Sequence, residues 1–294
     1  MDPPAVRPGD RIGVAALSGP VDGERLAAGI EALYGLGFEP VLASNLSCRS
    51  GLFAGSDEER LAGFHQLVAD DGLGAIVFAR GGHGILRLLP RLDWDLLARR
   101  PRAYVGYSDL TPLLNLLVER LGQVALHGPM VATDLARGLD DAERESFLSA
   151  LAGERPGPMA IAGDGDPVEG TLIGGCLSLL NSVVGTEFEL RCRDRIVFWE
   201  DVEEPLYRLD RMLTQLKLSG SLTRVRGMIV GRFKLLEEDE ELGLLPELLV
   251  EWGREFSCPV SYGLMSGHCQ PNLTLPLGAR VRVDPLRGEL NFLE

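Results

Sequence analysis

Along its first half the chain alternates short apolar runs with longer stretches in which apolar residues recur every three or four positions. RIGVAAL (11–17) reads as a strand, and Asp22 opens a helix in which Leu26, Ile30, Leu33 and Tyr34 fall at helical spacing. PVLAS (40–44) is a second strand. Ser56 with Glu59 forms a capping box ahead of Leu61, Phe64, Leu67 and Val68. AIVFAR (75–80) is a strand that ends in the glycine run GGHG, RAYVGYS (102–108) is the next strand, and DLTPLLNLLVERLG (109–122) is the next helix. Repeated alternation of this kind predicts an α/β domain, a mostly parallel sheet covered by helices.

The pattern breaks at residues 152–168, AGERPGPMAIAGDGDPV, which are rich in Gly and Pro and lack helical period. They are the expected linker between an N-terminal domain, 1–151, and a C-terminal one, 169–294. In the latter TLIGG, DRIVFWEDV and RGMIVGRF look extended, YRLDRMLTQLKL and LPELLVEWGREF helical, and LTLPLGARVRVDPLRGELNFLE strand-rich, which predicts an α+β domain.

Composition narrows the class. The 294 residues suffice for two ordinary domains, and 45% hydrophobic with 24% charged residues describes a folded, soluble chain without a membrane-spanning run. MDPPAVRPGD has no apolar segment behind a basic one, so no signal peptide is expected and the chain reads as cytoplasmic. Twenty-nine Lys and Arg against 43 Asp and Glu give a net charge of -14, which argues against a surface for nucleic acid or anionic lipid. Five scattered cysteines, with no CxxC pair, favour neither a disulfide framework nor a zinc site.

In an open parallel sheet ligands gather at the carboxyl ends of the strands. Those ends are LSGP (17–20), RGGHG (80–84), GYSD (106–109) and HGP (127–129), and the four loops are expected to share one crevice. Ser108 stands at a strand-to-helix turn like that of a nucleophile elbow, although Leu110 replaces the final Gly of G-x-S-x-G. A serine there serves equally as a helix N-cap, so the turn alone leaves both roles open. A nucleophilic serine needs a base, and a base needs an orienting group. Of four histidines, His65 falls off its helix's apolar stripe and reads as surface. His83 lies in the glycine loop, His127 opens HGP, and His268 lies in the loop MSGHCQPN. Glu200, ending the apolar strand RIVFW, is the acid most suited to anchor an imidazolium. Asp201, Glu203 and Glu204 are expected to complement the dipole of the helix that follows. The GGHG amides suit either an anion or an acyl-transfer oxyanion.

Together ARGGHG, GYSDLTPLLNLL, HGPM, EGTLIGGCLSLLNSVVGT, FWEDVEEPLYRLDRMLTQL and GHCQPNLTLPLG resemble the LD-carboxypeptidase family of serine peptidases, over nearly the whole chain. The family includes muramoyl-tetrapeptide carboxypeptidases and microcin C immunity hydrolases. The resemblance implies a doubly wound α/β domain carrying the nucleophile and a swivelling-barrel-like C-terminal domain carrying the other two members of a triad. It implies Ser108 as nucleophile, Glu200 as orienting acid and His268 as base. The backbone N–H groups of Gly82 and Asp109 would form the oxyanion hole, and Gly81 and His83 would line the pocket. It also implies a homodimer. No metal or cofactor is expected. His83 stands where the family usually has Tyr, and Cys176 where it usually has Asn. The expected reaction is release of a C-terminal D-amino acid from a muropeptide in peptidoglycan recycling. A peptidyl or aminoacyl nucleotide hydrolase is the alternative within the same chemistry. A non-catalytic module holding a small anionic ligand, and Cys269 as the nucleophile, are readings from outside it.

Overall fold

The structure, a computed structural model, describes residues 4–234 and 244–293. In chain order the main elements are β1 (Arg11–Ala15), α1 (Gly23–Gly35), β2 (Glu39–Leu42), α2 (Asp57–Ala69), β3 (Leu73–Phe78), α3 (Ile85–Leu88), α4 (Trp94–Arg99), β4 (Ala103–Gly106), α5 (Thr111–Leu121), β5 (Ala125–His127) and α6 (Asp141–Leu151). They continue with β6 (Met159–Ala160), β7 (Ala162–Asp164), β8 (Val168–Cys176), α7 (Leu177–Ser182), β9 (Arg195–Val202), α8 (Leu206–Ser219), β10 (Gly227–Lys234), α9 (Leu245–Phe256), β11 (Val260–Tyr262), β12 (Leu275–Leu277), β13 (Arg280–Asp284) and β14 (Glu289–Phe292). The chain folds as two compact units: Met1–Glu154 with Pro271–Pro276, and Arg155–Gln270 with Leu277–Glu294.

Unit 1 is a six-stranded sheet in the order β12-β5-β4-β3-β1-β2, with β2-β1-β3-β4-β5 all parallel. Ile12, Val14, Ile76, Val77, Phe78, Tyr104 and Val105 are buried, as parallel strands covered on both faces require. Asp22 caps α1 by accepting from Arg25 N, and Ser56 and Glu59 close the capping box of α2, both as the sequence predicts. The strand order reverses direction between β1 and β3, the point where open α/β sheets receive ligands.

Unit 2 is an eight-stranded mixed sheet, β6-β14-β13-β8-β9-β10-β11-β7. Its centre, β8 to β11, is parallel, while β13, β14, β6 and β7 pair antiparallel at the flanks. The Gly/Pro-rich stretch 152–168 contains β6 and β7, which supply the two outermost strands. Helix α8 buries Leu206, Leu209, Leu213 and Leu216, and Trp252 of α9 packs 5.1 Å from Trp199 of β9. The protein is therefore a two-domain α/β fold.

Candidate active site

In unit 1 the loops following β1, β3, β4 and β5 converge. Gly19 N donates to Gly81 O at 3.1 Å, and Gly128 N donates to Gly106 O at 3.1 Å. A Cβ on Gly81 would lie 2.8 Å from Ser108 Cβ and 2.9 Å from its Oγ, so only glycine lets that backbone rest on the serine. Gly82 instead packs beside Gly19.

Ser108 has φ 60°, left-handed backbone that costs an L-residue roughly 1–2 kcal/mol. It begins a 3₁₀ turn, Ser108–Leu110, that leads into α5, and its side chain caps neither element. The N-cap role that the sequence left open is thus removed, and the local conformation is that of a nucleophile elbow. The Asp109 carboxylate, almost fully buried, accepts from Ile85 N at 2.9 Å and so ties the start of α3 to the serine turn. Arg60 is fully buried. Its Nη1 donates to the carbonyls of Leu17 and Gly84, and its Nη2 pairs with Asp57 at 2.5 Å, fastening the β1 loop to the glycine loop. Nothing in the sequence pattern of α2 marked Arg60 for this task.

In unit 2, Glu200 is fully buried near the end of β9. Its Oε2 accepts from the backbone N–H of His268 at 3.0 Å and meets the imidazole Nδ1 at 2.7 Å. With Nδ1–H donating to the carboxylate, Nε2 bears the lone pair of a base. Gly267 permits this approach. Its φ is 103°, and a Cβ there would fall 2.4 Å from the Glu200 side chain.

Two sequence expectations change. His65 is half-buried rather than a surface residue: its Nε2 accepts from Asp93 N at 3.1 Å, and burial lowers its pKa against the opposing effect of Asp93. Asp201 does not serve the helix that follows it. It is buried and accepts from Ser178 N at 2.7 Å, bonding the first turn of α7; burial raises its pKa against the backbone N–H groups of Val202 and Ser178. Only Glu204 pairs with the following helix, through Arg208 at 3.0 Å. Cys176 packs against the same carboxylate, its Sγ 3.5 Å from Asp201 Oδ1, and burial raises its thiol pKa well above the ordinary range. His83 is exposed, 5.6 Å from the Phe53 ring, and His127 is buried 5.7 Å from the Tyr107 ring. Among the described residues no helix is long and apolar enough to cross a membrane, and no three His, Cys, Asp or Glu side chains are grouped to share a metal ion.

A strained serine at a strand-end turn and a carboxylate-bound histidine are residue types that serine hydrolases use. Residues 12–128 match the LD-carboxypeptidase N-terminal domain, and residues 169–283 match the LD-carboxypeptidase C-terminal domain. The chain is 35% identical to the probable murein peptide carboxypeptidase of Bacillus subtilis, over 96% of this chain and 91% of that one. Among solved structures it is similar to the muramoyltetrapeptide carboxypeptidase of Oxalobacter formigenes (TM-score 0.87, 31% identity, 96% and 97% of the two chains). It is similar also to MccF in complex with glutamyl sulfamoyl guanosine (TM-score 0.91, 26% identity, 99% and 98%). The chain belongs to the LD-carboxypeptidase family, a family of serine-type hydrolases.

Proposed function

We propose that the protein releases D-Ala from the tetrapeptide of cell-wall fragments in the cytoplasm, by a Ser108-His268-Glu200 triad and an acyl-enzyme. The observation that carries this reading is the bond of His268 Nδ1 to the buried Glu200 carboxylate, because it leaves Nε2 to act as the base. His268 takes the Ser108 proton, and Oγ adds to the carbonyl carbon of the L-residue before the D-residue. The tetrahedral oxyanion is received by the N–H groups of Gly82 and Asp109; the packing of Gly81 on Ser108 supports this, since it brings the glycine loop's backbone to the serine. His268 then protonates the departing amine of D-Ala, the C–N bond breaks, and water hydrolyses the ester by the same route in reverse. The scheme uses no metal and no cofactor. Gly81 and His83 line the pocket in this reading, and the working form is a homodimer.

The likeness to MccF supports a second reading, hydrolysis of an aminoacyl or peptidyl nucleotide amide by the same residues. The deciding assay measures free D-Ala from a muropeptide tetrapeptide, beside Ser108→Ala and an all-L peptide. Release that needs both Ser108 and the D-residue is the expected result. No release, with hydrolysis of an aminoacyl sulfamoyl nucleotide, would transfer the assignment to the second reading, and inactivity of folded protein on both would favour a binding module.

A further inference from the structure

We infer that Arg80 is a specificity-determining residue that receives the free C-terminal carboxylate of the substrate. The inference rests on the carboxypeptidase reading and names the group by which such an enzyme would distinguish a chain end from a chain interior. Arg80 immediately precedes Gly81, the glycine that packs on Ser108. Its guanidinium lies between two glycines of facing loops: a Cβ on Gly19 would be 3.5 Å from Nε, and a Cβ on Gly82 3.6 Å from Nη2. It therefore occupies the gap between the β1 and β3 loops, where the strand order reverses and ligands enter folds of this kind.

The side chain is half-buried and held in direction by one bond, Nη1 to Pro20 O at 3.0 Å. Among the described residues no carboxylate pairs with it. Arginines of the neighbouring helices differ: Arg60 and Arg87 both pair with Asp57, and Arg91 with Glu58. A partly desolvated cation without an internal counter-ion is a site for an external anion, and the planar fork of arginine suits a carboxylate bound through two N–H groups. The net charge of -14 repels an anionic peptide end, so a local cation is needed to hold one.

The test compares a tetrapeptide ending in D-Ala with the same peptide ending in D-alaninamide, using the full-length protein and the Arg80→Met and Arg80→Lys variants. Wild type should prefer the acid by on the order of ten- to a hundredfold in kcat/KM, the range for a hydrogen bond to a charged group. Arg80→Met should lose that preference mainly through KM, and Arg80→Lys should recover part of it. The two changes should be non-additive, so that Arg80→Met with the amide is little worse than either change alone. Equal losses by Arg80→Met on acid and amide, or no acid preference in wild type, would overturn the assignment of Arg80 while leaving the carboxypeptidase reading standing. A wild-type protein inert towards both peptides overturns both.

Discussion

Ser108 stands on strained backbone with no side-chain cap, whereas His268 stands on two bonds to one oxygen of a buried carboxylate. The first device stores conformational strain in a turn that packed loops hold from outside: Gly81 rests on the serine, Asp109 ties the turn to α3, and Arg60 binds the loops together. The second buries a carboxylate and bonds one of its oxygens twice to the histidine. Both arrangements depend on a glycine, but for different reasons. Gly81 lets backbone approach a side chain, and Gly267 lets a carboxylate approach backbone at a φ that only glycine adopts easily. The proposed nucleophile is thus presented by loop packing, and the proposed base by electrostatics.

Replacing the serine tests the strain directly. Ser108→Gly should lower turnover by about four decades or more while raising stability by about 1 kcal/mol, because the left-handed backbone is then unstrained. Activity assay and urea unfolding read the two together, and a destabilised Ser108→Gly would mean that the turn is not strained. Gly267→Ala should push the Glu200 side chain from its place and cost roughly a hundredfold in kcat, the order expected for a displacement of about 1 Å. A crystal structure of that variant with Glu200 and His268 unmoved would refute the role given to the glycine.

Arg60→Met leaves the buried carbonyls of Leu17 and Gly84 without their donor. It should destabilise by about 2–4 kcal/mol in chemical denaturation, with a tenfold or smaller loss in kcat. A loss of activity without loss of stability would instead put Arg60 in contact with substrate. The smallest effect is expected at Glu143. Burial raises its pKa, but bonds from Arg137 and from the backbone N–H groups of Asn272 and Asp140 more than offset this and leave it lowered. A lowered folded value means that its contribution is present above the unfolded value of about 4.3 and is lost as pH falls. Glu143→Gln should cost about 1 kcal/mol at neutral pH and less in acid, measured as melting temperature against pH.

Much of this was legible in the sequence. The caps at Asp22 and Ser56, the strand–helix alternation of unit 1 and the helix 245–256 follow from local periodicity and capping, and the structure places them there. The pairing of Glu200 with His268 was expected from the resemblance and from the end of an apolar strand. What escaped has a common cause in long-range contacts. Arg60 sits among DEERLAG, where charge reads as solvent exposure, yet it is buried because two distant carbonyls need a donor. Asp201 was read by its nearest helix in sequence but bonds to another, across the parallel pair β8–β9. Strands β6 and β7 have two and three residues in a Gly/Pro-rich stretch and exist only because β14 and β11 offer them edges. The positive φ of Ser108 is invisible in composition, since it is imposed by the loops around it.

The return of Pro271–Pro276 to unit 1 has a consequence for recombination. This short passage supplies the first two residues of β12, which joins the sheet beside β5, and its Asn272 N–H donates to Glu143 at 2.7 Å. A fragment cut after Glu154 would expose an unpaired sheet edge, a template for aggregation, and would strip Glu143 of a donor. Neither half is a continuous stretch of sequence, so a chimera with a relative must carry three junctions instead of one, keeping 271–276 with the parent of the first 154 residues.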